Sequence, residues 1–365
     1  MTAKDKRIFG LDLLRSIAII IVVQMHSREL FPFRLSGIPS FSMIDGVDLF
    51  FVLSGFLVGS MIINSIDKKK QFKFFDMLNF LQRRWFRTLP NYFLFLLINI
   101  VLIYFGLVKG ELNKYLVTYF VFFQNFYKPY DFLFWESWSL SVEEWFYLLF
   151  PIILFLLLTF TRKYKTVIIS TILLFLLFPL AYRIIHSNMS VDGDFWDLYF
   201  RKLVLTRLDC IGYGILGAYI HKYHEIFWNK YKKYFFIAGL LIMLFLCINT
   251  IEYNMFYFKT FFFSLFGLSI LLLIPKLESI KTEKIPLRPF AFISKISYSM
   301  YLCHIPLYQL IINNSQPTNK WEMLLVFLFY WVSVILFSTL VYKLFEKPMM
   351  NLREIFSRKK IFLNN

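Results

Sequence analysis

Acidic residues are scarce in this chain: 23 aspartates and glutamates stand against 40 lysines and arginines, a formal net charge of +17 over 365 residues. Cysteine is scarcer still. Cys210, Cys247 and Cys303 all fall in apolar runs without the spacing of a metal site, which argues against both a zinc site and a disulfide framework, and no metal is expected. No internal repeat or low-complexity tract is evident. The opening residues, MTAKDKRIFG, lack the small-residue cleavage site of a secretory signal, so the first apolar run is expected to stay as a membrane anchor. Also missing is a stretch polar enough to form a soluble domain. With 58% hydrophobic residues and a mean hydropathy of +0.60, the chain exceeds the roughly 45–50% apolar content of soluble proteins. A large positive charge would suggest nucleic acid as a partner in a soluble protein. Here the basic residues sit in short segments between apolar runs, the signature of membrane orientation, and nucleic-acid binding is set aside.

What the chain does have is long apolar runs. About ten are long enough to cross a bilayer, near residues 11–30, 47–66, 88–106, 145–160, 166–185, 203–221, 234–250, 256–274, 295–312 and 322–343. The expected fold is therefore an all-α, polytopic transmembrane helical bundle, a single membrane domain over residues 1–365. Placing the N-terminus inside puts most lysines and arginines on the cytoplasmic side, including Lys4, Lys6 and Arg7 and the basic C-terminal segment, so both termini are expected to be cytoplasmic.

Two of these runs carry ionisable groups that a bilayer disfavours. LDLLRSIAIIIVVQMH, residues 11–26, holds Asp12, Arg15 and His26; DGVDLFFVLSGFL, residues 45–57, holds Asp45 and Asp48. A charge near the middle of a membrane helix costs about 2.5–3.5 kcal/mol on insertion scales, so such groups face a polar interior and have work there. Arg15 and His26 are eleven positions apart, about three turns and about 16 Å along one helix face. If the second run returns antiparallel, Asp48 lies at about the depth of His26, where a carboxylate could orient the imidazole and raise its basicity. In LQRRWFRTLP, Arg84 and Arg87 share a helix face ahead of the third run, suited either to gripping phosphate in bidentate fashion or to meeting anionic lipid. Tyr298, Tyr301 and His304 recur at three-residue intervals in ISYSMYLCHIPLY and line one stripe.

The Arg15-to-His26 spacing followed by GVDLFFVLSGFL resembles the start of the integral-membrane acyltransferase family 3, whose members O-acylate sugars and other extracytoplasmic acceptors. The likeness continues through the Arg84, Arg87 pair before Leu-Pro, WSLSVEEWFY (residues 138–147, with Trp145 where glutamine is commoner), the Arg207-Leu-Asp209 segment, the Tyr298, Tyr301, His304 pattern and the closing Glu346-Lys347-Pro348. It implies that Arg84 and Arg87 meet an acyl-coenzyme A donor, most simply acetyl-CoA, on the cytoplasmic side. From the same motif Glu143, rather than its neighbour Glu144, is expected at the outer mouth. Arg207 and Asp209 rank as secondary cavity residues. The esterase-like domain fused to some relatives is not expected in this chain.

These features together imply a membrane O-acyltransferase of a bacterial cytoplasmic (inner) membrane that moves an acyl group to a hydroxyl of an extracytoplasmic glycan, such as O-antigen, exopolysaccharide or a lipid-linked sugar. Arg15 would stabilise charge at the inner mouth, and His26 with Asp48 would act as general base. Direct transfer and a covalent relay through His26, Tyr301 or His304 both remain open. The rival class is a transporter or flippase of lipid-linked sugar, in which the same buried charges form a substrate path. Membrane lipid is a partner in either case; the oligomeric state is not legible.

Overall fold

The computed structural model describes residues 8–32, 45–129, 133–248, 252–280, 288–315 and 317–352. The basic N-terminal segment with Lys4, Lys6 and Arg7, and the C-terminal residues beyond 352, lie outside the described residues. The described chain is helical throughout, with thirteen α-helices: α1 (Phe9–Ser27), α2 (Gly46–Lys69), α3 (Phe74–Tyr104), α4 (Leu116–Phe120), α5 (Ser137–Phe160), α6 (Tyr164–Ile185), α7 (Gly193–Trp196), α8 (Val204–Tyr223), α9 (Glu225–Ile248), α10 (Phe256–Thr260), α11 (Phe262–Glu278), α12 (Arg288–Asn314) and α13 (Lys320–Val341). Among the described residues, seven helices are long and apolar enough to cross a membrane, or up to eight if the bent pair Gly193–Arg201 and Val204–Tyr223, angled at 59°, forms one span.

That is fewer than the ten runs read from the sequence, and the difference has a physical cause. Helix α11 has only 17 residues. Helix α12 is long enough at 27 residues but carries Ser294, Ser297, Tyr298, Ser299, Tyr301 and His304, which face the interior rather than lipid. Interior polar side chains dilute the apolar signal of a helix that lies in the middle of a bundle.

Two helices also start earlier than their apolar runs suggest. Helix α3 begins at Phe74 and runs for 31 residues, so Arg83, Arg84 and Arg87 lie within it rather than in a loop before it. Helix α5 begins at Ser137, which turns WSLSVEEWFY into its first turns. The described residues of the aromatic segment between them form the short α4 and a series of turns. It is tied down by Trp145 Nε1 donating to the Phe122 carbonyl oxygen at 2.8 Å and by Tyr92 Oη donating to the Tyr119 carbonyl oxygen at 2.7 Å.

The core is built around α2 and α8, which approach backbone to backbone. A Cβ on Gly55 would overlap the Ile211 carbonyl oxygen, and one on Gly214 would overlap the Val52 carbonyl oxygen, the close contact that small residues permit between membrane helices. Two buried ion pairs lock this centre. Arg207 on α8 pairs with Asp48 on α2, and Arg183 on α6 pairs with Asp209 on α8 at 2.7 Å, with Ser264 Oγ donating to the same carboxylate at 2.8 Å. Helix α12 is joined to α1 by Ser294 Oγ donating to Asp12 Oδ1 at 2.7 Å. It is joined to α3 through Glu346, which accepts from Ser299 at 2.6 Å and from Asn91 at 3.0 Å.

The basic connections gather at one end of the bundle. Lys70, just after α2, donates to Tyr164 Oη at 3.1 Å at the start of α6; Lys222 near the end of α8 lies 3.3 Å from Asp67. Antiparallel succession then puts His26, Gly46 and Ser137 toward the opposite end.

Candidate active site

Among the described residues, two cavities in the bundle hold most of the ionisable groups singled out in the sequence. The one nearer the basic end is small, about 100 Å³, and is lined by Arg15, Arg84, Arg87, Glu143, Tyr147 and Tyr298 among others. Toward the other end is a cavity of about 790 Å³, lined by His26, Asp45, Glu136, Trp138, Arg201 and His304 among others. Val47 and Tyr301 line both, so the two recesses meet at a partition made by one residue of α2 and one of α12.

The arginine cavity owes its charge to helix register. Three positions apart on α3, Arg84 and Arg87 point the same way; Arg84 is half-buried, with its guanidinium over the Tyr147 ring at 5.4 Å, while Arg87 is exposed. Arg15 of α1 completes the set. Facing them is a hydrogen-bonded line in which Ser54 Oγ meets Tyr147 Oη at 2.5 Å and Tyr147 Oη donates to Glu143 at 3.2 Å. Tyr298 Oη donates to the Thr88 carbonyl oxygen at 2.8 Å, holding α12 against α3. Glu143 is therefore not at the mouth of the opposite end, where the motif led us to expect it. Because α5 starts at Ser137, six residues carry Glu143 about 9 Å down the helix, into the arginine cavity. Glu144 points elsewhere and accepts from Thr88 Oγ1 at 2.6 Å.

In the larger cavity His26 and His304 stand edge to face, ring centroids 4.9 Å apart, with His304 Nε2 3.3 Å from His26 Nδ1. Two backbone carbonyls assign the protons. His26 Nδ1 lies 2.9 Å from the Val22 carbonyl oxygen and His304 Nδ1 lies 2.7 Å from the Tyr301 carbonyl oxygen. A carbonyl only accepts, so in neutral rings both Nδ1 atoms carry hydrogen. His304 Nε2 is then a bare acceptor that shares the His26 Nδ1 proton, and His26 Nε2 is left as a lone pair. His304 is buried, whereas His26 is exposed to the cavity.

The orienting partner is thus another histidine, not Asp48. Asp48 does line the cavity, but its carboxylate is paired with Arg207, whose side chain is fully buried. The packing of α2 on α8 turns Asp48 toward its neighbour helix. Arg207 and Asp209, read from the sequence as secondary cavity residues, line neither cavity and serve as ion-pair partners in the helix core. Asp45 caps α2 by accepting from Val47 N at 2.9 Å and pairs with Arg201 at 2.6 Å at the cavity rim. Burial opposes ionisation of Asp45, but the adjacent Arg201 guanidinium outweighs it and holds the carboxyl below its ordinary range. Among the described residues no three His, Cys, Asp or Glu side chains converge as metal ligands would.

Sequence reasoning did not single out Glu136, Tyr147 or Arg183. Glu136 and Tyr147 flank or lie within the WSLSVEEWFY motif, so their neighbourhood carried a signal. Arg183 sits in an apolar run as a lone charge, which was the available clue.

Comparisons with known proteins find relatives by sequence. The O-acetyltransferase OatA of Staphylococcus aureus strain NCTC 8325 / PS 47 is 28% identical over 370 residues, covering 93% of this chain and 57% of the relative. OatA of strain MRSA252 matches to the same extent. The chain thus spans less than two thirds of the length of these relatives. No solved structure matches. An acyltransferase-domain family model, Acyl_transf_3, matches residues 8–343, nearly the whole bundle and both of its cavities, and the chain accordingly belongs to the membrane-bound acyltransferase family 3.

Proposed function

We propose that the chain is an O-acyltransferase that takes an acyl group, acetyl in the simplest case, from acyl-coenzyme A at the basic end. It delivers the group to a hydroxyl of an extracytoplasmic glycan in the larger cavity. The observation that carries this reading is the His26–His304 pair, which presents a bare Nε2 to a cavity that meets the arginine cavity at Val47 and Tyr301. The names of the OatA relatives support O-acetyl transfer as the reaction class.

At the basic end, Arg84, Arg87 and Arg15 would bind the phosphates of the donor through charge-assisted hydrogen bonds. Arg15 and His26 are separated by about 16 Å of helix, so the phosphates stay with the arginines while the thioester end of a long flexible arm reaches the partition. His26 Nε2 takes the proton of the acceptor hydroxyl as its oxygen bonds to the acyl carbon. The carbon–sulfur bond breaks, and the departing thiolate takes the proton from His26. The ring is positive in between, and His304 Nε2 together with the Val22 carbonyl oxygen accepts its Nδ1–H. Glu143, within the arginine cavity, would balance the guanidinium charge when the donor is absent.

Purified protein in liposomes, given acetyl-CoA and a glycan extract of the cell envelope, is expected to release free thiol in step with ester formed on the glycan. His26→Ala should lower that rate by about 10²-fold or more, and Arg84→Gln with Arg87→Gln should raise donor KM while leaving acceptor KM unchanged. Thioester left intact by the wild type, with glycan moved across the liposome instead, would favour the transporter reading.

A further inference from the structure

The backbone leading into α5 is tightly held. Tyr301 Oη donates to the Glu136 carbonyl oxygen at 2.9 Å, and Asn125 Nδ2 donates to the Trp138 carbonyl oxygen at 2.9 Å. The side chain of Glu136 is treated differently. It is 2% exposed and lines the histidine cavity, yet neither carboxylate oxygen is hydrogen-bonded by another described residue.

Elsewhere the bundle satisfies its buried acids. Asp12 accepts from Ser294, Asp48 pairs with Arg207, Asp209 with Arg183, Glu144 accepts from Thr88, and Glu346 from Ser299 and Asn91. A buried polar group without a partner is costly, and in native proteins such a group calls for an explanation in function. Glu136 therefore stands out as a group whose position is fixed through its backbone while the hydrogen-bonding capacity of its carboxyl is used by no other described residue. Burial also pushes its carboxyl well above the usual carboxylate range, which favours a form that can donate as well as accept.

We propose that Glu136 is an acceptor-binding residue, its carboxyl hydrogen-bonding a second hydroxyl of the sugar whose first hydroxyl is presented to His26. The proposal rests on the reading of the histidine cavity as the acceptor site. A sugar fits what is there: it offers several hydroxyls that donate and accept, and Trp135 and Trp138 line the same cavity, aromatic side chains of the kind against which the C–H side of a ring can lie. A site built to hydrogen-bond a substrate hydroxyl discriminates strongly against analogues that lack it, because its own polar group is then left unpaired. Glu136 would thus select polyhydroxy acceptors over simple alcohols and over water.

The test uses the full chain in liposomes, with acetyl-CoA as donor and envelope glycan extract as acceptor probe. Glu136→Leu is expected to raise acceptor KM by about tenfold or more, with donor KM unchanged. Glu136→Gln, which can still donate and accept, should stay within about threefold of the wild type. Thermal unfolding guards against a merely structural role. Removing an unsatisfied buried acid should leave Tm unchanged or raise it, whereas loss of a structural contact would lower it. Wild-type acceptor KM in Glu136→Leu, or a raised KM accompanied by a lowered Tm and no recovery in Glu136→Gln, would overturn the inference while leaving the O-acyltransferase reading standing. A wild type that consumes no thioester would overturn that reading, and this inference with it.

Discussion

At His26 a single Nδ1–H is shared between the Val22 carbonyl oxygen and His304 Nε2, so the ring can face the cavity only with its lone pair. The support is a neutral dipole, itself anchored on the Tyr301 carbonyl oxygen, rather than the carboxylate of a Ser-His-Asp arrangement. In a bundle interior this avoids placing a further charge beside the base. His304→Phe is expected to lower kcat by about tenfold to a hundredfold with donor KM unchanged, and His304→Gln, whose amide oxygen can accept the same proton, to recover part of it. Steady-state kinetics on both variants checks this. Asp48→Asn should act on a different quantity: it strips Arg207 of its counter-charge, and breaking such a buried pair costs about 3–5 kcal/mol, visible in thermal unfolding. A full Tm with a reduced rate in Asp48→Asn would instead return Asp48 to the role of orienting His26. The sequence singled out His26 through its spacing from Arg15 together with the GVDLFFVLSGFL run that follows, and not through either charge alone. It could not reveal which way Asp48 faces, since that depends on the rotation of α2 against α8 and not on any spacing within either run.

Elements were legible in kind and less so in extent. Apolar runs located each long helix, but the polar first turns of α3 and α5 are invisible to a hydropathy argument. For that reason Glu143 was expected at a mouth and is found down a helix. Arg84 and Arg87 were likewise read ahead of the third run and lie within α3, but their three-residue spacing carries the face they share whether or not the helix has begun. The contact between α2 and α8 yields its own prediction. A methyl group on Gly214 would meet the Val52 carbonyl oxygen and the Phe56 backbone nitrogen, neither of which can rotate away. Gly214→Ala is therefore expected to destabilise the bundle by about 1–3 kcal/mol, the usual range for overpacking, measured by thermal unfolding in detergent. The same shift would separate Asp48 from Arg207, so activity and stability should fall together in this variant, unlike Glu136→Leu.

The chain as a whole is a multi-pass bacterial membrane protein, and the reaction we propose has a direction only if its two ends face different compartments. Lys68, Lys69, Lys70, Arg162, Lys163, Lys165 and Lys222 at one end favour the cytoplasm for the arginine cavity. A cysteine introduced at Asn319 is expected to react with an impermeant thiol reagent added outside intact cells, and one at Lys69 to be protected until the membrane is opened. The native Cys210, Cys247 and Cys303 are all buried, which keeps the background low. Reversed labelling would put the donor site on the wrong side for coenzyme A. The partition at Val47 and Tyr301 also has an electrical meaning. If the two recesses open to opposite faces, as the proposed reaction requires, little low-dielectric material separates them, and the transmembrane potential would fall mainly across that thin layer rather than over the full thickness of the bilayer. A proton or other unit charge crossing there would experience most of the field, about 2.3 kcal/mol for each 100 mV, whereas a neutral acyl group crosses without doing electrical work.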